Sequence, residues 1–255
     1  MLQPRRLWTH FLSKRAEIMR LQKTRVVHNE ISLEFYCPNV ICRYRSDSFS
    51  TKEPDTLKWI DSMSSGSVLW DIGANVGLYS IYAAKRSVTR VIAFEPSIFN
   101  LEWLGRNIYL NGLQKNIFVV PVALSDRCGS NTFGMSNTAL GGALSTFGEK
   151  FDQNGRDLQI IFEYETVGLT LAAAYQYFSL PKPSHMKIDV DGLEHFILRG
   201  AGDVLSYPKQ VLIEIDDAFV AQATETANIL TSVGLRLENK FSLGVPNQYN
   251  QLWCR

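Results

Sequence analysis

The chain has 255 residues, 45% of them hydrophobic and 20% charged, and its 26 Lys+Arg against 25 Asp+Glu leave a net charge of +1. That apolar fraction excludes a wholly disordered chain, and so small a charge gives no global field for nucleic acid. No strongly apolar, uncharged run is long enough to span a membrane, so a soluble globular protein is expected.

The charge is concentrated at the start. Residues 1–25 carry a net +6, with Leu7, Trp8, Phe11, Leu12, Ile18, Met19 and Leu21 at roughly helical spacing. A basic amphipathic helix of this kind suits an anionic membrane surface or an organelle transit segment, but a helix capping the main domain is the preferred reading. It lacks the continuous apolar core of a secretory signal. Cys37, Cys42, Cys128 and Cys254 show no metal-ligand spacing, so free thiols in a reducing, cytoplasmic setting are expected.

Ile31, Leu33 and Phe35 alternate with polar neighbours, Cys37-Pro38-Asn39 punctuates, and Val40 to Arg45 reads as a second extended run, together a hairpin. Glu53-Pro54-Asp55-Thr56 opens a short helix. From residue 63 the rhythm becomes that of a main domain. Strands are expected at 68–70, 90–94, 117–122, 184–190 and 210–215, with helices at 76–85, 98–110, 171–178 and 218–233. Runs at 235–241 and 249–254 close the chain as strands. Apolar strands alternating with helices predict an α/β, doubly wound, mainly parallel sheet. Residues 127–167, rich in glycine and phenylalanine, are too long for an ordinary connection and predict a β-rich insertion, either structural or a substrate-facing lid. The expected division is an N-terminal unit, 1–62, ahead of a main domain, 63–255.

The chemistry gathers at the strand ends. In Trp70-Asp71-Ile72-Gly73-Ala74-Asn75-Val76-Gly77, Gly73 permits a tight turn and Gly77 permits close packing of the following helix. Asn75 stands where a dinucleotide fingerprint has its second glycine, and Asp71 would repel a phosphate but hold an ammonium, so NAD and FAD are disfavoured. Glu95 follows the second strand, 22 residues after Gly73, where a carboxylate can bind both ribose hydroxyls. Ser125 and Asp126, after the third strand, are placed beside an adenine, with Asp126 accepting from its amine. A ribose with a cationic amino acid and no phosphate describes S-adenosylmethionine.

Lys187, Asp189 and Asp191 follow at the fourth strand, on one side if the strand stays extended. Asp189 is the first candidate for contact with the reacting centre, and Asp191, Glu194 and His195 are alternatives for the base. Lys187 needs a carboxylate partner, either Glu214 or Asp189, and a structural ion pair is preferred over a catalytic lysine. Asp216-Asp217 could join Asp189 around a divalent metal, but capping of the next helix is preferred and no metal is assigned.

Taken in order, Arg43-Tyr44-Arg45-Ser46-Asp47, Thr51-Lys52-Glu53-Pro54-Asp55-Thr56, WDIGANVGLYS, AFEPS, ALSD and KIDVDGLEHFILRGA resemble the FkbM family of methyltransferases over residues 29–217. The resemblance implies a class I methyltransferase fold, S-adenosylmethionine as donor, and O-methylation of a sugar or natural-product hydroxyl. On it, Asp71, Gly73, Asn75, Gly77, Glu95 and Asp126 match the donor site. Arg43, Arg45 and Lys52 match its amino-terminal motif, either to bind an acidic sugar or phosphate or to tie the hairpin to the core. A small-molecule or glycan acceptor is expected, and no nucleic acid: the chain lacks the Asn/Asp-Pro-Pro-aromatic run of amino-group methylation and a cysteine after strand four. A nicotinamide oxidoreductase and a non-catalytic methyltransferase-like module are the competing classes.

Overall fold

The computed structural model describes residues 22–86 and 90–255, so the helical pattern read over residues 1–21 lies outside the described residues. Lys23 and Arg25 belong instead to a strand. β1 (Lys23–His28) pairs antiparallel with β2 (Ile31–Tyr36). Their two-residue turn, Asn29-Glu30, has both φ angles positive, the turn whose twist matches a hairpin.

The second extended run expected at 40–45 is a helix, α1 (Val40–Asp47). Asn39 is extended and its side chain accepts the Cys42 N–H at 2.8 Å, so it caps the first turn. Cys42 and Ser46, four residues apart, form the buried side. Six residues of alternation are ambiguous, and the cap together with that buried side decides for helix. α2 (Phe49–Lys52) and α3 (Pro54–Asp61) follow.

The main body runs β3 (Val68–Ile72), α4 (Leu78–Arg86), β4 (Arg90–Phe94), α5 (Ile98–Leu110), β5 (Ile117–Val120), β6 (Ala123–Leu124), β7 (Gly129–Met135), β8 (Ser145–Phe147), β9 (Phe162–Leu169), α6 (Leu171–Tyr177), β10 (His185–Ile188), α7 (Glu194–Arg199), β11 (Gln210–Asp216), α8 (Val220–Ser232), β12 (Arg236–Ser242) and β13 (Gln248–Cys254). A seven-stranded sheet has the order β12-β13-β11-β10-β3-β4-β5, parallel except where β13 runs antiparallel to both its neighbours. This is the α/β, doubly wound, mainly parallel architecture of class I methyltransferases. The insertion forms its own sheet, β6-β9-β7-β8.

Each strand feeds two cores. Trp70, Ile72, Ile92, Phe94, Met186 and Ile188 pack beneath α6, α7 and α8. Leu69, Val91, Ala93 and Leu212 pack on the other face with Ile81, Leu104 and the N-terminal residues Leu33, Phe35, Phe49, Leu57 and Ile60. The hairpin and first helices therefore share their core with the sheet. No helix among the described residues is long and apolar enough to cross a membrane, and all four cysteines are free.

Candidate active site

β3 and β10 are neighbours, and from them the chain winds outward to opposite edges of the sheet. Ligands of open α/β sheets bind at the carboxyl ends of such a pair, where the connections diverge and leave a crevice. After β3 the backbone turns at once. The Gly73 and Ala74 N–H groups both donate to the Phe94 carbonyl at 3.0 Å, and the Asp189 N–H donates to the Ile72 carbonyl at 3.0 Å. Gly73 has φ +83, and a Cβ built on it would lie 1.8 Å from the Asp189 carbonyl oxygen. Glycine is thus required twice, for the left-handed turn and for the contact between the two strand ends. Gly73→Ala is expected to destabilise the fold by about 3 kcal/mol or more, read as a lower urea midpoint, because the obstruction is backbone.

Beyond this turn lies a cleft of about 600 Å³. One wall is apolar, from Phe94, Leu124, Phe133, Phe147, Leu193 and Ile197; the other is polar, from Gly73, Asn75, Glu95, Asp189 and Asp191. Glu95 is buried, its Oε2 accepting the Asn75 N–H at 2.7 Å and its Oε1 the Ser97 N–H at 2.8 Å. Burial pushes its carboxyl up to about 7, because those hydrogen bonds offset only part of the desolvation. Asn75 itself is left-handed, with φ 52, and Gly77, at φ 91, breaks the backbone again, so the helix starts at Leu78 rather than Val76.

The insertion closes over this cleft. Asn75 Nδ2 and Asn100 Nδ2 donate to the Gly142 carbonyl at 2.8 and 3.3 Å, and the Gly141 N–H donates to Asn100 Oδ1 at 3.0 Å. Asp191 Oδ2 accepts the Leu144 and Ser145 N–H groups at 2.7 and 3.3 Å. The expected β-rich insertion is thus present, and it carries a loop bonded to the edge of the cleft.

The remaining candidates fall in several places. Lys187 and Asp189 are joined, Nζ to Oδ2, at 2.6 Å, which gives Lys187 the nearer of its two expected partners. Burial by itself raises Asp189, and Lys187 reverses this and holds it below the ordinary carboxylate range. Asp71 is fully buried, takes the Ser80 hydroxyl, and pairs in register with Lys187 on the next strand. The cation it faces is thus this chain's own lysine. Asp191 does not continue the alternation of β10, for it sits at φ 59 with Gly192 at φ 112 beyond it. Burial pushes its carboxyl up to about 6, with Asp189 adding to the shift.

Glu194 turns inward, accepting the Val190 N–H at 3.0 Å and the Gln222 side chain. His195 lies against Phe196 and Phe219, lines neither this cleft nor the one beside it, and is lowered by burial. Glu214 is pushed well up by burial and by the nearby Asp189, Glu194 and Asp191. Asp216 takes Asn154 and the Ala218 N–H, and Asp217 takes Lys240, so neither turns to Asp189. Asp126 is held by Arg199 at 3.3 Å, with Ser125 bonded to it, and neither lines the cleft. Gly77 lies against α5, where a Cβ would meet Leu104 Cδ1 at 2.6 Å.

Of the amino-terminal cations, Arg43 reaches Thr24 and ties α1 to the hairpin, whereas Arg45 and Lys52 line a second cleft beside Gly73 and Asp189. Sequence reasoning missed Asn100 and Tyr79, the latter lying under the Lys187 ammonium at 5.3 Å. Asn100 follows the Ser97 helix cap directly after Glu95, a position on the binding edge that could have marked it.

Residues 71–240, about two-thirds of the chain, match the methyltransferase FkbM domain. Hexuronic acid methyltransferase AglP of Haloferax volcanii is 24% identical over 200 residues, spanning 75% of this chain and 76% of that protein. The crystal structure of methyltransferase FkbM from Methylobacillus flagellatus superposes with a TM-score of 0.52 at 16% identity, over 76% of this chain but 44% of that longer one. PH0793 from Pyrococcus horikoshii gives 0.51 at 11% identity, over 91% of this chain and 71% of its own. With the strand order and the cleft at the β3–β10 junction, these matches lead to one assignment: the chain belongs to the FkbM methyltransferase family.

Proposed function

We propose that the protein is an S-adenosylmethionine-dependent O-methyltransferase acting on a sugar or related polyhydroxylated acceptor. The observation that carries this reading is Glu95, a buried carboxylate on the cleft, fixed by two backbone N–H groups at the end of β4. Such a group accepts from vicinal ribose hydroxyls, and the apolar wall beyond it fits a purine. Gly73 and Asn75 would cradle the amino acid part. Asp71, held by Ser80 behind the turn, would act through Lys187 rather than by touching the donor. When bound, the donor supplies a methyl group on a sulfonium, an electrophile that needs no further activation.

The protein then has to align an acceptor oxygen and take its proton. Asp189 and Asp191 both line the cleft, and Lys187 holds Asp189 ionised and in place. Asp191, with its carboxyl pushed up to about 6, is the better matched proton acceptor near neutral pH. His195, turned into an aromatic cluster, is not assigned this role. The sugar class is supported by AglP, whose name describes action on a hexuronic acid.

Calorimetric titration with S-adenosylhomocysteine and, separately, with NADH tests the donor. Micromolar binding of the first and none of the second is expected. Binding of NADH alone would replace this reading with an oxidoreductase, and binding of neither would leave a non-catalytic module.

A further inference from the structure

Beside the donor cleft lies a second one of about 830 Å³, which shares Gly73, Asn75, Ala143, Asp189 and Asp191 with it and adds Arg45, Lys52, Leu144 and Glu214. A surface depression that shares Arg45, Lys52, Ala143 and Leu144 with it is lined by Ile41 and Tyr44 of α1. We propose that this second cleft is the acceptor site and that the acceptor is a sugar bearing a carboxylate, held by the guanidinium of Arg45 with Lys52 beside it; this rests on the methyl-transfer reading above.

What sets this cleft apart is an unused donor fork. Of the three carboxylates that line this space, Asp189 and Asp191 already have partners. Asp189 has Lys187 at 2.6 Å, and Asp191 has two backbone N–H groups. Glu53, which lines a smaller neighbouring cleft, has Lys52 at 3.2 Å, the Thr56 hydroxyl at 3.1 Å and the Asn250 amide at 3.2 Å. Glu214, the third, is pushed well up by burial and by the acids around it. Arg45 differs: its Nε donates to the Gly141 carbonyl at 2.7 Å, and its two terminal amino groups have no partner among the described residues. That single bond orients the planar fork without consuming it, and such a fork matches a carboxylate in a bidentate pair. Lys52 leaves its ammonium half-exposed at the same wall.

Apolar groups also stand beside these cations, where a charged ligand alone would not require them. Tyr44 is 62% exposed on α1, and Leu144 is held at φ 61 by the Asp191 latch. An aromatic ring and an aliphatic side chain beside a guanidinium suit the C–H face of a pyranose whose edge carries a carboxylate. A phosphorylated sugar shares the anionic chemistry, but its second charge would face Asp189 and Asp191 at close range.

The test measures transfer of labelled methyl from S-adenosylmethionine to methyl glucuronide, methyl galacturonide, the two corresponding neutral glycosides and glucose 6-phosphate. Titration of S-adenosylhomocysteine into every variant accompanies it. The expected result is a kcat/KM for a uronide at least tenfold above its neutral counterpart and above the phosphate. Arg45→Gln should collapse that ratio to below threefold, Arg45→Lys should restore it only in part, and Lys52→Gln should reduce it less. In all three the S-adenosylhomocysteine Kd should stay within threefold of wild type, which also reports a folded protein. Equal use of neutral sugars, preference for the phosphate, or no transfer to any sugar by a protein that binds S-adenosylhomocysteine would overturn the proposal and leave the donor assignment standing. A loss of S-adenosylhomocysteine affinity in Arg45→Gln and Arg45→Lys alike would overturn it too, by assigning Arg45 to the donor. Failure of the wild type to bind S-adenosylhomocysteine would remove both readings.

Discussion

Replacing Glu95 with alanine is expected to weaken S-adenosylhomocysteine binding by roughly 10²–10³-fold, the loss of two hydrogen bonds from ribose hydroxyls to a charged acceptor. The same substitution frees the Asn75 and Ser97 N–H groups that the carboxylate now anchors, so part of the loss comes from a loosened turn. Glu95→Gln keeps the shape and one acceptor oxygen and should cost less. The two variants differ more tellingly in pH dependence. In the free protein burial pushes Glu95 up to about 7, and donated hydroxyl hydrogen bonds favour its ionised form. Binding therefore expels a proton below that value. Affinity should be level above about pH 8 and should fall as the pH drops through 7, approaching tenfold per unit well below it.

Asp191, about 6, and Glu194, about 7, are also raised by burial and titrate in the same window. The component belonging to Glu95 is thus the part of the slope that Glu95→Gln lacks. Calorimetry from pH 5.5 to 8.5 on both proteins separates it, and equal slopes would contradict the assignment.

Lys187→Met is expected to destabilise the protein by about 3–5 kcal/mol at pH 8, the cost of leaving buried carboxylates without their cation. Lys187 is itself buried, on β10 between β3 and β11. Burial works to lower its pKa, but Asp189, Asp71 and Glu53 more than reverse that, leaving it above the ordinary lysine value. The sign follows directly. A lysine raised in the fold contributes its full stabilisation below its unfolded pKa and loses it only as pH rises past the folded one, so the wild type keeps it throughout the neutral range.

In the variant the burden shifts to Asp71 and Asp189, which can be relieved only by taking up protons. The deficit should therefore shrink between pH 8 and pH 5, which urea denaturation at the two values will show. Lys187→Met combined with Asp189→Asn should cost less than the sum of the two single changes, because they remove one interaction. A deficit under 1 kcal/mol at pH 8 would mean that the pair is not the support of the strand end.

Much of this architecture was legible from local pattern. The strand at 90–94 and the helix at 98–110 lie where apolar runs, the Ser97 cap and the Asn111-Gly112 stop put them. The doubly wound, mainly parallel class was accessible because apolar strands alternate with helices. Errors arose where a short run fits two periods, as at Val40 to Arg45, or where a left-handed residue shifts the end of an element, as Gly77 does before α4 and Asp191 after β10. Strand alternation could not say where Asp191 points, because it presumes an extended chain that Asp191 and Gly192 break.

By itself the amino-acid sequence determined the α/β class, the order of its elements, and the positions of Gly73 and Glu95 at neighbouring strand ends, all properties of contacts within a few residues along the chain. Only the tertiary structure decided that Asp71 faces an internal lysine, that His195 is turned into an aromatic cluster, and that Arg45 stands at a cleft with its terminal amino groups unpartnered among the described residues. It also decided that the insertion is at once a sheet and a cover. Those outcomes depend on partners such as Arg45 with Gly141, 96 residues apart, and Asn75 with Gly142, 67 apart. Periodicity carries no record of such pairs, because they form only when packing brings distant loops to the same edge of the sheet.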